Sequence, residues 1–148
     1  MELNSKLKAT KNQVLQYYEL PLEDLGKTYA AGKWNIRQIL VHLTDAETVL
    51  LQRIKRTIAN PGQTIAAFDQ DKWAVELEYT HFPLHLSSAL FEANRDTIIY
   101  LAERFYLEKG GNTYRHSEVG ERTLKEEFDK VLWHCQDHIK QIETALKS

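Results

Sequence analysis

The sequence is poor in residues that interrupt helices and in the residue that forms disulfides. Its 148 residues include three prolines, six glycines and one cysteine, Cys135. A single cysteine excludes an intramolecular disulfide. Because the prolines and glycines are few and concentrated at a few positions, long helices are favoured and an all-β fold is disfavoured.

The sequence also lacks a long apolar run and a large excess of charge of either sign. No apolar stretch is long enough to span a bilayer, and residues 1–8 are too polar for a signal peptide. The net charge is −2, without the basic excess that is typical of general nucleic-acid binding. We therefore expect a cytoplasmic protein without a membrane or nucleic-acid partner, folded as one domain over residues 1–148.

Hydrophobic periodicity predicts two long helices in the first half of the chain. The first covers about residues 4–19 and ends before Pro21, since proline disrupts a helix interior. The second begins at Asn35, and Gln38 three residues later completes a capping box. A strong apolar stripe follows until Asn60-Pro61-Gly62 ends the helix.

Two more helices are predicted in the second half. The third begins near Pro83, a residue tolerated at the first helical position, and ends at Gly110-Gly111. The fourth begins at Thr123, with Glu126 completing a second capping box. Its apolar residues alternate at spacings of three and four, which is typical of a helix packed against neighbours.

A long connection, residues 63–82, separates the second and third helices. Asp71 could begin a short helix here that carries Trp73, Val75 and Leu77, or the stretch could be an irregular crossing loop. Four helices around one core, with a long connection between helices 2 and 3, predict an all-α four-helix bundle.

Two histidines of the fourth helix are spaced to share a metal ion. His134 and His138 are four residues apart, so both imidazoles point from one face. His42 lies at the edge of the apolar arc of the second helix. Together the three would form a site with open positions for water or substrate. The alternative is three hydrogen-bonded histidines at the edge of the core. A second pair, His81 and His85, straddles a helix start and is expected on the surface.

Two segments of the chain resemble a known family. Residues 32–47, GKWNIRQILVHLTDAE, and residues 134–142, HCQDHIKQI, together with His116 and residues 120–124, resemble the DinB-like superfamily. The nearest subgroup is the YfiT-like metal-dependent proteins and bacillithiol transferases. The resemblance implies a four-helix bundle, often a homodimer, with nickel or zinc bound by three histidines. These ligands correspond to His42, His134 and His138.

The resemblance does not imply one reaction, because DinB-like proteins include thiol S-transferases and isomerases. We expect a metal-dependent enzyme with a small-molecule substrate. Of the possible reactions, we rank thiol transfer first, with a low-molecular-weight thiol as co-substrate, because of the resemblance alone. Hydrolysis is ranked second. Three histidines suit zinc or nickel, and also iron, cobalt or manganese. The alternatives are a stress-associated metal- or small-molecule-binding bundle without catalysis, and a helical dimer without metal.

Two charged residues fall at positions where the helical pattern predicts burial, and both are candidate catalytic residues. Glu47 could orient a metal ligand or act as a general base, and Arg95 could bind a substrate carboxylate. The alternative is a buried Glu47–Arg95 ion pair with a structural role.

Three other residues near the predicted ligands are not counted among them. Cys135 is expected in the core rather than as a catalytic thiol, because its helical position faces the apolar seam. Trp133 lies on a polar face, which predicts cover by the crossing loop or by a partner subunit. His116, in a predicted loop, could approach the open face of the metal.

Overall fold

The computed structural model describes residues 1–148 and is 65% helical. Its helices are α1 (Glu2–Tyr17), α2 (Leu22–Leu25), α3 (Ile36–Ala59), α4 (Gln70–Glu76), α5 (Leu84–Phe105) and α6 (Leu124–Leu146). Its strands are β1 (Thr64–Ile65), β2 (Thr113–His116) and β3 (Gly120–Thr123). The four long helices, α1, α3, α5 and α6, confirm the predicted four-helix bundle. No helix is both long enough and apolar enough to cross a membrane.

Capping boxes fix the starts of the two helices that carry the histidines. The Asn35 side chain accepts a hydrogen bond from the Gln38 backbone N–H, and the Gln38 side chain accepts one from the Asn35 N–H, both at 2.9 Å. Thr123 and Glu126 make the same reciprocal pair at 3.1 and 3.0 Å. Each box satisfies two N–H groups that a helix start otherwise leaves unpaired, so α3 and α6 begin where the sequence predicts.

Replacing Thr123 with alanine is expected to lower the free energy of unfolding by about 1 kcal/mol, because the Glu126 N–H loses its acceptor. Urea denaturation followed by circular dichroism measures the change. The control is Thr144→Ala near the end of α6, where the hydroxyl only donates back to the Lys140 carbonyl. Unfolding midpoints that fall equally in both variants would contradict the capping role.

Helix α3 lies between α5 and α6 and contributes to both main parts of the core. Its N-terminal half packs with Phe91, Cys135 and Ile142, and its C-terminal half packs with Ile98 and Phe128. Cys135 is fully buried, which confirms its predicted place in the core. Because α3 and α6 are in direct contact, residues on their facing sides can form one site.

A small three-stranded sheet lies outside the helical pattern and was not predicted from the sequence. β1 pairs in parallel with β2, and β2 pairs antiparallel with β3. The strands have two to four residues, too few for an alternating pattern to be visible. β3 ends at Thr123, the residue that caps α6, so the sheet leads directly into the helix that carries His134 and His138.

The long connection between α3 and α5 is partly ordered into β1 and α4. A short helix was one of the two predicted alternatives, and it starts two residues earlier than predicted. Asp69, not Asp71, is the cap, and its carboxylate accepts a hydrogen bond from the Lys72 N–H at 3.1 Å. The connection brings the aromatic rings of Phe68 and Trp73 towards α3.

Candidate metal centre

The structure brings together the three histidines that the sequence analysis singles out. His42 of α3 is fully buried, and His134 and His138 of α6 are partly buried. The Nε2 atoms of His42 and His134 are 3.3 Å apart. One nitrogen of each ring lies within 4.8 Å of the others, so the three form a cluster that could hold a metal ion.

Neighbouring side chains hold two of these imidazoles, those of His42 and His138. The Trp34 ring packs on His42 at 4.9 Å between ring centroids, and Phe68 lies parallel to the same imidazole at 6.3 Å. His138 Nδ1 donates to Gln141 Oε1 at 2.8 Å, which leaves Nε2 of that ring free of a proton. The site therefore presents ring nitrogens in fixed positions.

The cluster holds its histidines in the neutral form. Burial, followed by repulsion from His138 and His134, lowers the pKa of His42 to about 2. Burial, followed by repulsion from His138 and Lys130, lowers the pKa of His134 to about 3. The pKa of His138 is also lowered, mainly by burial. Because a neutral imidazole is the form that binds metals, the three rings are ready ligands at neutral pH.

The donor set fits one divalent ion. Zinc binds imidazole nitrogens at about 2.0–2.1 Å in tetrahedral sites, which places two such nitrogens roughly 3.3–3.4 Å apart. The 3.3 Å between the Nε2 atoms of His42 and His134 agrees with that spacing. His42 Nδ1, the other nitrogen of this ring, is buried without a hydrogen-bond partner. The polar contact that the ring does make is thus the one from Nε2 to His134.

Two cavities approach the histidine cluster. The larger, of about 490 Å³, has His134 in its wall, together with His116, which β2 carries to the same space. The smaller, of about 380 Å³, has His138 and Gln141 in its wall. Pockets of the larger size hold small-molecule ligands, so a ligand can approach the cluster from the side of His134.

Glu47 and Arg95 form the buried ion pair that the sequence analysis gave as the alternative to catalytic roles. Both carboxylate oxygens of Glu47 accept from Arg95, the Nε–H to Oε1 bond being 2.9 Å long. Arg95 also donates to the Leu7 carbonyl at 2.8 Å and to Thr10 Oγ1 at 2.7 Å. Neither side chain of the pair lines the larger cavity. Their catalytic roles stay predictions.

The other residues near the ligands differ in accessibility. Burial raises the pKa of the Cys135 thiol to about 11, so this thiol is inert at neutral pH. Trp133 is 48% exposed, so the crossing loop does not cover it fully, and it lines the larger cavity together with Phe68 of that loop. Its cover by a partner subunit stays a prediction. His81 and His85 are both exposed, as expected for a pair at a helix start.

Several polar residues of the larger cavity were not predicted from the sequence, among them Arg53, Tyr114, Glu127 and Lys130. A signal existed for one of them. Arg53 lies three residues after Leu50, within the apolar arc of α3, where a charged side chain must find a partner or an open space. The same reasoning singled out Glu47. Tyr114 lies on a strand that the sequence pattern does not show.

Known proteins resemble this chain in sequence and in fold. "Putative metal-dependent hydrolase OB0413" of Oceanobacillus iheyensis is 32% identical over 126 residues, which are 85% of this chain and 72% of that protein. "Putative metal-dependent hydrolase BH0277" of Halalkalibacterium halodurans is 24% identical over 123 residues, 83% of this chain and 71% of that protein.

Among solved structures, the chain superposes with a TM-score of 0.90 on YfiT from Bacillus subtilis, covering 99% of this chain and 85% of that one at 20% identity. YfiT is described as "a probable metal-dependent hydrolase with an unusual four-helix bundle topology". The family model of the DinB superfamily matches residues 6–142, from the first helix to the last. The family model and the sequence relatives thus lead to one assignment: the chain belongs to the DinB superfamily.

Proposed function

We propose that the protein is a metal-dependent hydrolase whose divalent ion is bound by His42, His134 and His138. One observation carries the proposal: three neutral imidazoles converge, and one of them lies in the wall of a cavity of about 490 Å³. Relatives named as metal-dependent hydrolases support it. Three nitrogen ligands suit zinc or nickel and leave a coordination position for a reactant.

The residues of the site have distinct tasks in this proposal. The three histidines are neutral and leave the charge of the ion undiminished. When bound, the ion supplies a Lewis acid that lowers the pKa of a water molecule or a thiol beside it. Gln141 fixes the proton of His138 on Nδ1. Trp34 and Phe68 hold the ring of His42 and exclude water from it.

Thiol S-transfer is the second candidate. A cavity of about 490 Å³ is larger than a water nucleophile requires and has room for a thiol co-substrate. The thiol would come from a bound small molecule, because the only cysteine of the chain is buried. The names of the relatives favour hydrolysis, so we place transfer second.

Metal analysis tests the ligand assignment. Wild-type protein purified without a chelating column is expected to carry about one equivalent of divalent metal. The His134→Ala/His138→Ala variant is expected to carry less than about a tenth of that, because a single remaining histidine binds weakly. The control, His81→Ala/His85→Ala, removes an exposed pair with the same spacing and should leave the metal content unchanged. Wild-type protein that takes up no metal on titration would overturn the proposal.

Removal and return of the metal test catalysis. A panel of esters and amides is first screened for compounds that the protein hydrolyses. Treatment with a chelator is expected to abolish this hydrolysis, and added zinc or nickel is expected to restore it. Circular dichroism of the stripped protein should stay helical. If stripping unfolds the bundle instead, the ion has a structural role and the non-catalytic alternative is favoured. If the metal-loaded protein reacts with these compounds only when a low-molecular-weight thiol is added, thiol S-transfer is favoured over hydrolysis.

Three further expectations stay predictions. They are a homodimer, a cytoplasmic location and a small-molecule substrate. Light scattering of the purified protein tests the first of these directly.

A further inference from the structure

An arginine without a partner lies in the wall of the larger cavity. Arg53 of α3 is only 4% exposed, and its Nε is buried without a hydrogen-bond acceptor. It takes part in no ion pair of the protein. A buried cation is costly unless an anion or several acceptors face it. The protein itself supplies none by direct contact, so the guanidinium is available to a ligand.

A second cation lies in the same wall. Lys130 is on α6, one helical turn before His134, and its ammonium lies 5.9 Å from the centre of the Trp133 ring. Burial lowers the pKa of Lys130, and Arg53 and Arg122 lower it further against the opposing effect of Glu127. Lys130 is thus a partly buried cation in the same cavity wall as Arg53.

The acidic groups of the cavity do not cancel these charges directly. Glu127 Oε1 accepts from the Tyr114 hydroxyl at 2.9 Å and from Arg122 Nε at 3.1 Å, so this carboxylate is paired with Arg122. Its other oxygen is buried without a partner. Glu118 is exposed. The competing explanation for Arg53 is therefore a water molecule that joins it to the free oxygen of Glu127.

We propose that Arg53 and Lys130 form an oxyanion site that binds the carboxylate or phosphate of a substrate. A guanidinium binds such groups through two parallel hydrogen bonds. Other parts of the cavity wall are apolar, formed by Val49, Phe68, Val119 and Trp133. The substrate class is thus a small molecule with an anionic end and an apolar body. Its reactive end would face His134, and this part of the inference rests on the proposed function.

Three probes that differ in charge test the site. They are 3-phenylpropionate, its neutral amide 3-phenylpropanamide and inorganic phosphate, each titrated into the protein by calorimetry and by tryptophan fluorescence, since Trp133 lines the cavity. We expect the carboxylate to bind at least about tenfold more tightly than the amide, because only the anion pairs with the cations. If inorganic phosphate binds tightly and 3-phenylpropionate does not, the anionic end of the substrate is a phosphate and not a carboxylate.

Variants assign the preference to Arg53. Arg53→Gln is expected to abolish the preference for the carboxylate over the amide. Arg56→Gln, at an exposed position on the same helix, should leave that preference intact. Equal affinities of carboxylate and amide in the wild type, or a preference that survives Arg53→Gln, would overturn the inference. Lys130→Gln is the second variant and should weaken carboxylate binding severalfold.

Two further measurements separate the explanations. First, the titrations are repeated on chelator-treated protein. A preference for the carboxylate that persists without metal and requires Arg53 supports the oxyanion site even if the metal proposal fails. If the preference for the carboxylate over the amide disappears when the metal is removed and is unchanged in Arg53→Gln, the anion binds to the metal. That result would overturn the oxyanion site but not the proposed metal centre. The thermal midpoint of ligand-free Arg53→Gln should equal or exceed that of the wild type, whereas a water bridge to Glu127 predicts a lower midpoint.

Discussion

Replacing Arg95 with methionine is expected to lower the free energy of unfolding by about 3–5 kcal/mol, the largest effect of any single substitution considered. The Glu47 carboxylate would remain as a buried charge without its partner. The Leu7 carbonyl and the Thr10 hydroxyl would each lose a hydrogen bond as well. Urea denaturation at pH 7 measures the loss.

Two control variants show whether the effect belongs to the buried pair. Glu47→Met/Arg95→Met should recover most of the lost stability, because replacing both charges removes the unpaired one. Arg104→Met breaks an exposed pair with Glu108 and should cost less than about 1 kcal/mol. Equal losses in Arg95→Met and Arg104→Met would contradict the argument. A folded double variant with full activity would also refute catalytic roles for Glu47 and Arg95.

Acidification from pH 7 to pH 5 is expected to destabilise the metal-free protein through its histidine cluster. The unfolded chain protonates its histidines near pH 6.5, whereas folded His134, with its pKa lowered to about 3, stays neutral. The unfolded state therefore binds more protons between these values, and stability falls as the pH falls. The loss by pH 5 is roughly 2 kcal/mol for each histidine that folding keeps neutral.

Two double variants of the histidine pairs isolate this contribution. Metal-free His134→Ala/His138→Ala should lose less stability than the metal-free wild type over the same pH step, by at least roughly 2 kcal/mol. His81→Ala/His85→Ala should lose as much as the wild type, because that pair is exposed. Parallel losses in all three proteins would show that folding does not hold the cluster neutral.

The helices were predictable where local chemistry decides them. Reciprocal side-chain bonds at Asn35 and Thr123 fix two helix starts from four residues each. The sheet was not predictable, because β1 and β2 pair residues such as Thr64 and Arg115 that are far apart in the chain. The start of α4 was missed by two residues since Asp69 and Asp71 are equally good caps locally.

The candidate metal site was predictable where its residues follow a local pattern. His134 and His138 lie on one helix, so their spacing indicated a shared ligand. The position of His42 at the edge of the apolar arc of its helix made it the third candidate, and the family resemblance gave the same residue. The cations of the cavity are brought together where α3, α6 and β3 meet, and no pattern within a single segment of the sequence shows that contact. Arg53 was visible only as a charge in an apolar arc.

The guanidinium of Arg95 has a consequence for how the bundle opens. A terminal helix ordinarily frays, exchanging its amide hydrogens through local openings. Here α5 reaches through Arg95 to the Leu7 carbonyl and the Thr10 hydroxyl of α1 and to Glu47 of α3. Detaching α1 would expose a buried ion pair, so its middle turns open only with the rest of the bundle. The first helix therefore belongs to the same cooperative unit as α3 and α5.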